Sequence, residues 1–325
     1  MGDELLRWAR DRAPHVVARA EAEAVAVLRD AIVTATVGAR APAAARPEAN
    51  PPPAAEHDEL VWTYCVVESG TPLPEGLTGI AGSTVQCVSE ANLAAVVCRV
   101  PGTDFDEEPL RRNLNDLAWL ERVARAHEQV LDRMLPEATL VPLRICTLYE
   151  NEDGVRAMLD RERDHLAGAL ETLEGREEWG VKLLLDRERL MRAAREVSEG
   201  EPNASARADA ASGGAAYMLQ RREERRVREL ADSLAADLAS QVHAQLERCA
   251  IGAVTRPPQN RELSGHEGEM LLNAAYLVER DRVAGMRDLV GELEARHADL
   301  GARLELTGPW PPYNFVPGET AAGIA

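Results

Sequence analysis

The stretch 38–57, GARAPAAARPEANPPPAAEH, sets the first limit on how this chain can fold. Alanine carries little apolar area, and a closing Pro triplet removes backbone donors and holds φ near the polyproline value. Such a segment cannot bury a core, so it reads as a semi-rigid linker. Before it, Leu5, Ala9, Val16, Ala20, Ala24, Leu28 and Ile32 recur at near-helical spacing, with Pro14 as a break or restart. We therefore expect a helical extension over 1–37, a linker over 38–58, and a folded body from residue 59.

Three strand candidates open the body: 60–68 (LVWTYCVVE), 80–88 (IAGSTVQCV) and 93–100 (LAAVVCRV). Pro72, Pro74, Gly76 and Gly79 break the chain between the first two. Asp106, Glu107 and Glu108, followed by Pro109, carry the signature of a helix N-terminus. That helix should reach about Leu135, with Leu110, Leu114, Leu117, Ala124, Leu131 and Met134 on one face. A strand is expected over 138–149 (ATLVPLRICTLY), where Pro142 argues for an edge or a bulge, and a second helix over 152–173.

The pattern restarts at Glu177, with strand 178–185, helix 187–199 and a polar, Ala/Gly-rich break at 200–214. A long helix over 215–250 and a short extended piece over 250–256 follow, then strand 269–279, helix 281–300 and strand 302–308. The charges along the long helix read as a solvated face opposite an apolar stripe. The order over 177–316 is β-α-β-β-α-β, the split βαβ or ferredoxin-like layout, with an enlarged first helical segment. The expectation is an α+β protein of two domains: 59–175, and a modified ferredoxin-like domain with a long helical insertion at 176–317, then a tail at 318–325.

Charge decides which partners to exclude. With 37 Lys+Arg against 55 Asp+Glu the formal net charge is −18, and Lys182 is the only lysine. Binding to nucleic acid or anionic lipid depends on cations neutralising phosphate, so neither is expected as a partner. No apolar run approaches the roughly 20 residues that span a bilayer. The first residues, MGDELLRWARDRAPH, are charged throughout and lack the apolar centre of a secretory signal. The five cysteines are widely spaced, form no C-x-x-C pair, and four fall in predicted strands, where a reduced thiol is a small hydrophobe. That usage fits a reducing cytoplasm.

Motifs that carry chemistry are missing from the string. It holds no phosphate-binding loop, no dinucleotide fingerprint and no nucleophile elbow. His127-Glu128 starts a zinc-protease-like pair, but the position of the second His is Leu131. His127 shares the apolar stripe of its helix and reads as a hydrogen-bonded core or boundary histidine. No catalytic, cofactor-binding or metal residue is therefore assigned. The competing class, an enzyme or small-molecule sensor on a ferredoxin-like scaffold, requires His127, Arg144 and a carboxylate to converge in a pocket.

Two features have open readings. Arg144 lies mid-strand in VPLRIC, where a buried arginine needs a carboxylate or carbonyl partner. It is either an internal salt bridge or outward-facing residue, or a contact to an anion or partner. The string GPWPPYNF (308–315) crowds Trp310, Tyr313 and Phe315 around Pro311 and Pro312 in a chain with only 4% aromatics. Such residues are typical of binding hot spots, but they also serve as plugs when a terminal extension clamps its own domain. Trp310, Pro311, Pro312, Tyr313, Phe315 and Arg144 are the candidate partner-contacting residues.

Seven strings together resemble the gas vesicle protein family GvpF/GvpL. They are Trp62-Thr63-Tyr64-Cys65-Val66-Val67, LAWLERVARAHEQVL (117–131), ATLVPLRICTLYENEDGV (138–155), LEGREEWGVKLLLD (173–186), SGGAAYML (212–219), LLNAAYLVER (271–280) and LELTGPWPPYNF (304–315). They run collinearly over about 60–316, and EWGVK with GPWPPYNF is the most specific combination. The 57-residue N-terminal extension departs from the family pattern. The resemblance implies a non-enzymatic gas vesicle assembly or minor structural protein of two α+β domains, the second modified ferredoxin-like. It also implies the shell protein GvpA and other accessory Gvp proteins as partners.

Overall fold

The computed structural model describes residues 57–199, 213–257 and 268–316. The expected helix over 1–37, all but the end of the linker, and the tail at 318–325 lie outside the described residues. Residues 57–174 with 311–316 cluster into one unit, and the described part of Gly175–Trp310 into a second.

The first unit is built on β1 (Glu59–Glu68), β2 (Val85–Glu90), β3 (Leu93–Pro101), β4 (Val141–Pro142) and β5 (Leu148–Tyr149). The sheet order is β2-β3-β1-β4, β5 also pairs β1, and every pairing is antiparallel. All eight interior residues of β1 are buried. A near-continuous apolar run is what a strand needs when both faces of its sheet are covered. Helices α1 (Gly102–Phe105), α2 (Glu107–Asn113) and α3 (Leu117–Met134) belong to one side, α4 (Glu152–Arg161) and α5 (Arg163–Leu173) to the other. The first side packs Trp62, Tyr64, Val96 and Cys98 against Phe105, Leu120, Val123 and Leu131. A register shift between Thr63 and Cys65 turns both Tyr64 and Cys65 into this cluster. Tyr64 is fully buried, and its hydroxyl accepts the Ile80 N–H (2.9 Å) and shares a hydrogen bond with Cys98 Sγ (3.0 Å).

Four expectations for this unit need correction. The strand expected over 80–88 begins only at Val85, because Ile80–Gly82 is a 3-10 turn with Ala81 and Gly82 at φ 54° and 75°. The helix expected from Asp106 to about Leu135 is two, α2 and α3, with the short α1 before them. Asp106 caps α2, and Asp116 caps α3 by accepting from the N–H groups of Ala118 (2.9 Å) and Trp119 (3.3 Å). The 152–173 helix divides at Glu162 into α4 and α5. Finally, the strand over 138–149 reduces to two-residue β4 and β5 on either side of a turn, where Cys146 has φ 64°. Cys146 therefore sits in a turn, and Arg144 lies in the connecting loop with its side chain exposed, not mid-strand.

The second unit contains β6 (Arg176–Leu185), α6 (Arg187–Glu199), α7 (Gly213–Glu247), β7 (Gly252–Thr255), β8 (Glu269–Glu279), α8 (Val283–Arg296) and β9 (Ala302–Trp310). Its antiparallel sheet has the order β7-β8-β6-β9. Alternate residues Val181, Leu183 and Leu185 of β6 and Leu272, Ala274 and Tyr276 of β8 face the helices. Against them pack Leu190 and Ala194 of α6, Val227, Ala231, Leu238 and Val242 of α7, and Met286, Val290 and Leu293 of α8. The strings EWGVK and GPW meet here: Glu178 pairs with Trp310 and Gly180 with Thr307. A side chain at Gly180 would put Cβ 2.9 Å from Thr307 Oγ1. At Gly308, φ is +130° and a Cβ would lie 2.9 Å from the Glu178 carbonyl oxygen. The backbones approach too closely there for anything larger.

Two glycines give a matched test of packing in the first unit. A Cβ at Gly79 would lie 2.4 Å from the Tyr64 hydroxyl, whereas one at Gly168, exposed within α5, meets nothing within 4 Å. Gly79→Ala should cost about 1–3 kcal/mol by overpacking. Gly168→Ala should gain about 0.5–1 kcal/mol from helix propensity. Urea midpoints moving in opposite directions would confirm both.

Candidate functional site

The candidate residues of the C-terminal string do not form one surface patch. Trp310 ends β9, half-buried, and its indole N–H donates to Thr307 Oγ1 (3.1 Å). Pro311 and Pro312 are buried, and Tyr313 and Phe315 are half-buried. A tight turn follows the prolines, with Tyr313 N–H donating to the Pro311 carbonyl (2.8 Å) and Phe315 N–H to that of Pro312 (3.2 Å). The turn directs the Tyr313 ring against the core of the first unit.

There the Tyr313 hydroxyl joins a polar cluster inside the apolar core. His127 of α3 is fully buried, between the rings of Trp62 (centroids 5.8 Å apart) and Tyr64 (5.3 Å). The Trp62 indole can only donate, and it does so to His127 Nδ1 at 3.0 Å. The ring proton is thereby assigned to Nε2, which donates to the Leu143 carbonyl at 3.2 Å. Tyr313 Oη lies 3.3 Å from the same Nε2 and donates to Glu128 Oε1 at 3.2 Å. Both imidazole nitrogens are thus engaged, and three rings and a main-chain carbonyl enclose the group.

The electrostatics follow from burial. Desolvation pulls the His127 pKa down to about 4, so the ring is neutral at physiological pH. Desolvation, reinforced by Asp132 one turn along α3, raises the Glu128 carboxyl to about 7. Loss of solvent around the phenol, with Glu128 beside it, holds Tyr313 well above the ordinary tyrosine value. A neutral imidazole with no free lone pair neither takes a substrate proton nor ligates a metal. Arg144 adjoins Leu143 in the chain, but its exposed guanidinium makes no ion pair with the described residues. His127 and Arg144 therefore do not converge, and no group of His, Cys, Asp and Glu among the described residues could hold a metal. Sequence reasoning placed His127 in the core but missed Glu128 and Trp62 as its companions. Their signal was a charge and an indole at core-facing positions.

The cluster makes stability depend on pH in a definite direction. Glu128 binds its proton more tightly folded than unfolded, so its contribution is full below about 4.5 and is lost as pH rises through about 7. Glu128→Gln should therefore raise the melting temperature at pH 8 and change it little at pH 4.5, as thermal denaturation at both values would show. Tyr313→Phe should cost about 1–2 kcal/mol by leaving buried hydrogen-bonding groups short of a partner, read as a lower urea midpoint.

The geometry can be set beside known proteins. The pattern of the family described as "Gas vesicle synthesis protein GvpL/GvpF" matches residues 60–317. The chain is similar to "Gas vesicle protein L" of a Streptomyces species, with 39% identity over 270 residues, covering 82% of this chain and 94% of that protein. It is 28% identical over 258 residues to "Gas vesicle protein F" of the same organism, covering 78% of this chain and 98% of that one. The crystal structure of GvpF from Anabaena sp. PCC7120 superposes with a TM-score of 0.56 at 18% identity, over 82% of this chain and 97% of that one. GvpF from Microcystis aeruginosa gives 0.54 at 18% identity, over 79% and 98%. At that identity the solved structures speak for the mixed helix-and-sheet fold, and the family match spans nearly all the described residues of both units. The chain belongs to the gas vesicle GvpL/GvpF family.

Proposed function

We propose that this protein is a non-enzymatic assembly or minor structural factor that binds the shell protein GvpA and other accessory Gvp proteins in the cytoplasm during gas vesicle formation. The observation that carries this reading is the family match over 60–317. The closed state of the His127 cluster supports it, because among the described residues the buried imidazole is spent on holding the fold together. No helix among the described residues is long and apolar enough to cross a membrane. A net charge of −18 would keep a complex with an apolar, self-associating shell subunit in solution.

Two finer points belong to the same reading. The order β7-β8-β6-β9, with β6 and β8 central, supports a modified ferredoxin-like fold for 176–317, the long α6–α7 segment forming the enlarged first crossover. Within 59–175 and the C-terminal string, Arg144 is the candidate best disposed to meet a partner, since its side chain is exposed. Trp310, Pro311, Pro312, Tyr313 and Phe315 would act mainly by fixing the backbone around them.

Pull-down with GvpA is the direct test. The full chain should retain GvpA, and a chain lacking residues 1–57 should do so as well. If neither retains GvpA or any co-encoded Gvp protein, the proposal fails.

A further inference from the structure

Helix α7 runs 35 residues, far longer than its neighbour α6 at 13. The two are antiparallel: Arg187 at the start of α6 pairs with Asp232, and Ser198 near its end bonds Glu223. Residues of α7 before Glu223 thus run past the last turn of α6. Five large apolar side chains stand exposed among the described residues, and three of them gather at this end: Val197 of α6 (52%), Tyr217 (57%) and Met218 (67%). Met218, Arg221, Arg222 and Arg225 stand at i, i+3, i+4 and i+7, one helical face, and all are exposed. The opposite face leads into the buried stripe Val227, Ala231, Leu238 and Val242. Arg221 Nε donates to the Tyr217 hydroxyl (3.1 Å) and its guanidinium lies 5.8 Å from that ring, so the pair is already ordered.

Exposed Tyr, Met and Arg are the residue types enriched in interface cores and hot spots. An arginine face is also out of keeping with a chain of net charge −18. We propose that the Met218–Arg225 face of α7 is a docking surface for an acidic amphipathic helix of a partner protein, whose apolar stripe covers Met218 while its flanking carboxylates pair with Arg221, Arg222 and Arg225. Guanidinium forks match carboxylates in bidentate geometry, which gives the contact its specificity. Nucleic acid fits less well. A duplex is a far longer polyanion than one helix, so the acidic remainder of the chain repels it more, and a phosphate backbone has no use for the methionine at the centre.

The inference rests on the assembly reading for its cellular setting, and its test does not need GvpA. The probe is a synthetic helical peptide of about 20 residues with a leucine seam flanked by glutamates, followed by fluorescence anisotropy against the full-length protein. The wild type should bind it, less tightly as salt rises, and should not bind the same peptide with lysines in place of glutamates. The double variant R222E/R225E should weaken binding at least about tenfold, and M218A several-fold, both with unchanged circular dichroism. No binding, equal binding to R222E/R225E, or displacement of the peptide by duplex DNA would overturn the proposal. So would a dimer in sedimentation that R222E/R225E dissolves, because that result hands the face to a second copy of this chain. Failure to retain GvpA alongside intact peptide binding would leave this surface standing and remove only the assembly reading. Retention of GvpA without peptide binding would do the reverse.

Discussion

The buried imidazole of His127 is the interaction on which the first unit depends. A polar ring in an apolar core is tolerated only if every hydrogen-bonding atom has a partner, since leaving one unmade costs about 1–3 kcal/mol. Here the partners come from four places in the chain: Trp62 on β1, the Leu143 carbonyl after β4, Tyr313 near the C-terminal end, and through Tyr313 the Glu128 carboxyl of α3. The strand, the helix, the loop and the terminal segment are therefore placed jointly. The segment around Tyr313 is separated by more than 180 residues from the histidine it meets, so residues 311–316 complete a unit whose strands all lie before residue 150.

The second unit is held by a constraint of a different kind. Its defining contact is between backbones, where β6 and β9 approach so closely at Gly180 and Gly308 that a methyl group would collide with Thr307 Oγ1 or the Glu178 carbonyl. This explains why the two most distinctive strings of the sequence carry their glycines beside tryptophans. The glycines admit the approach, and the Trp179 and Trp310 rings flank it, with the Arg287 guanidinium 5.3 Å from the Trp179 ring. One unit thus relies on polar satisfaction and the other on steric clearance, while both bury ordinary aliphatic cores.

Function within a gas vesicle family sits easily with this division. Neither anchor leaves a reactive group free: the imidazole is enclosed, and the glycine contact contains no titratable side chain. The Arg144 side chain is exposed beside Leu143, whose carbonyl serves the His127 anchor. Charges of both signs alternate along the outer faces of the helices, as the Arg111–Glu107 and Arg125–Glu121 pairs show, and compete with neither anchor.

The elements legible in the sequence were those whose periodicity was undisturbed by distant partners. Helix α6 and strand β8 fall at 187–199 and 269–279, as the apolar spacing predicts. The collinear strings from Trp62 to Phe315 likewise pointed to the family that the match over 60–317 establishes. The misread pieces were Ile80–Gly82, the turn between β4 and β5, and the breaks before α3 and α5, where left-handed residues or caps interrupt an apolar pattern that carries on through them. Composition and period by themselves thus determined the mix of helix and antiparallel sheet and the acidic balance of charge. The tertiary structure alone decided that His127 is closed off, that Tyr313 seals it, and that the α7 face carrying Met218, Arg221, Arg222 and Arg225 stays exposed. Each of these depends on which residues meet across long stretches of chain, and local pattern holds no information about that.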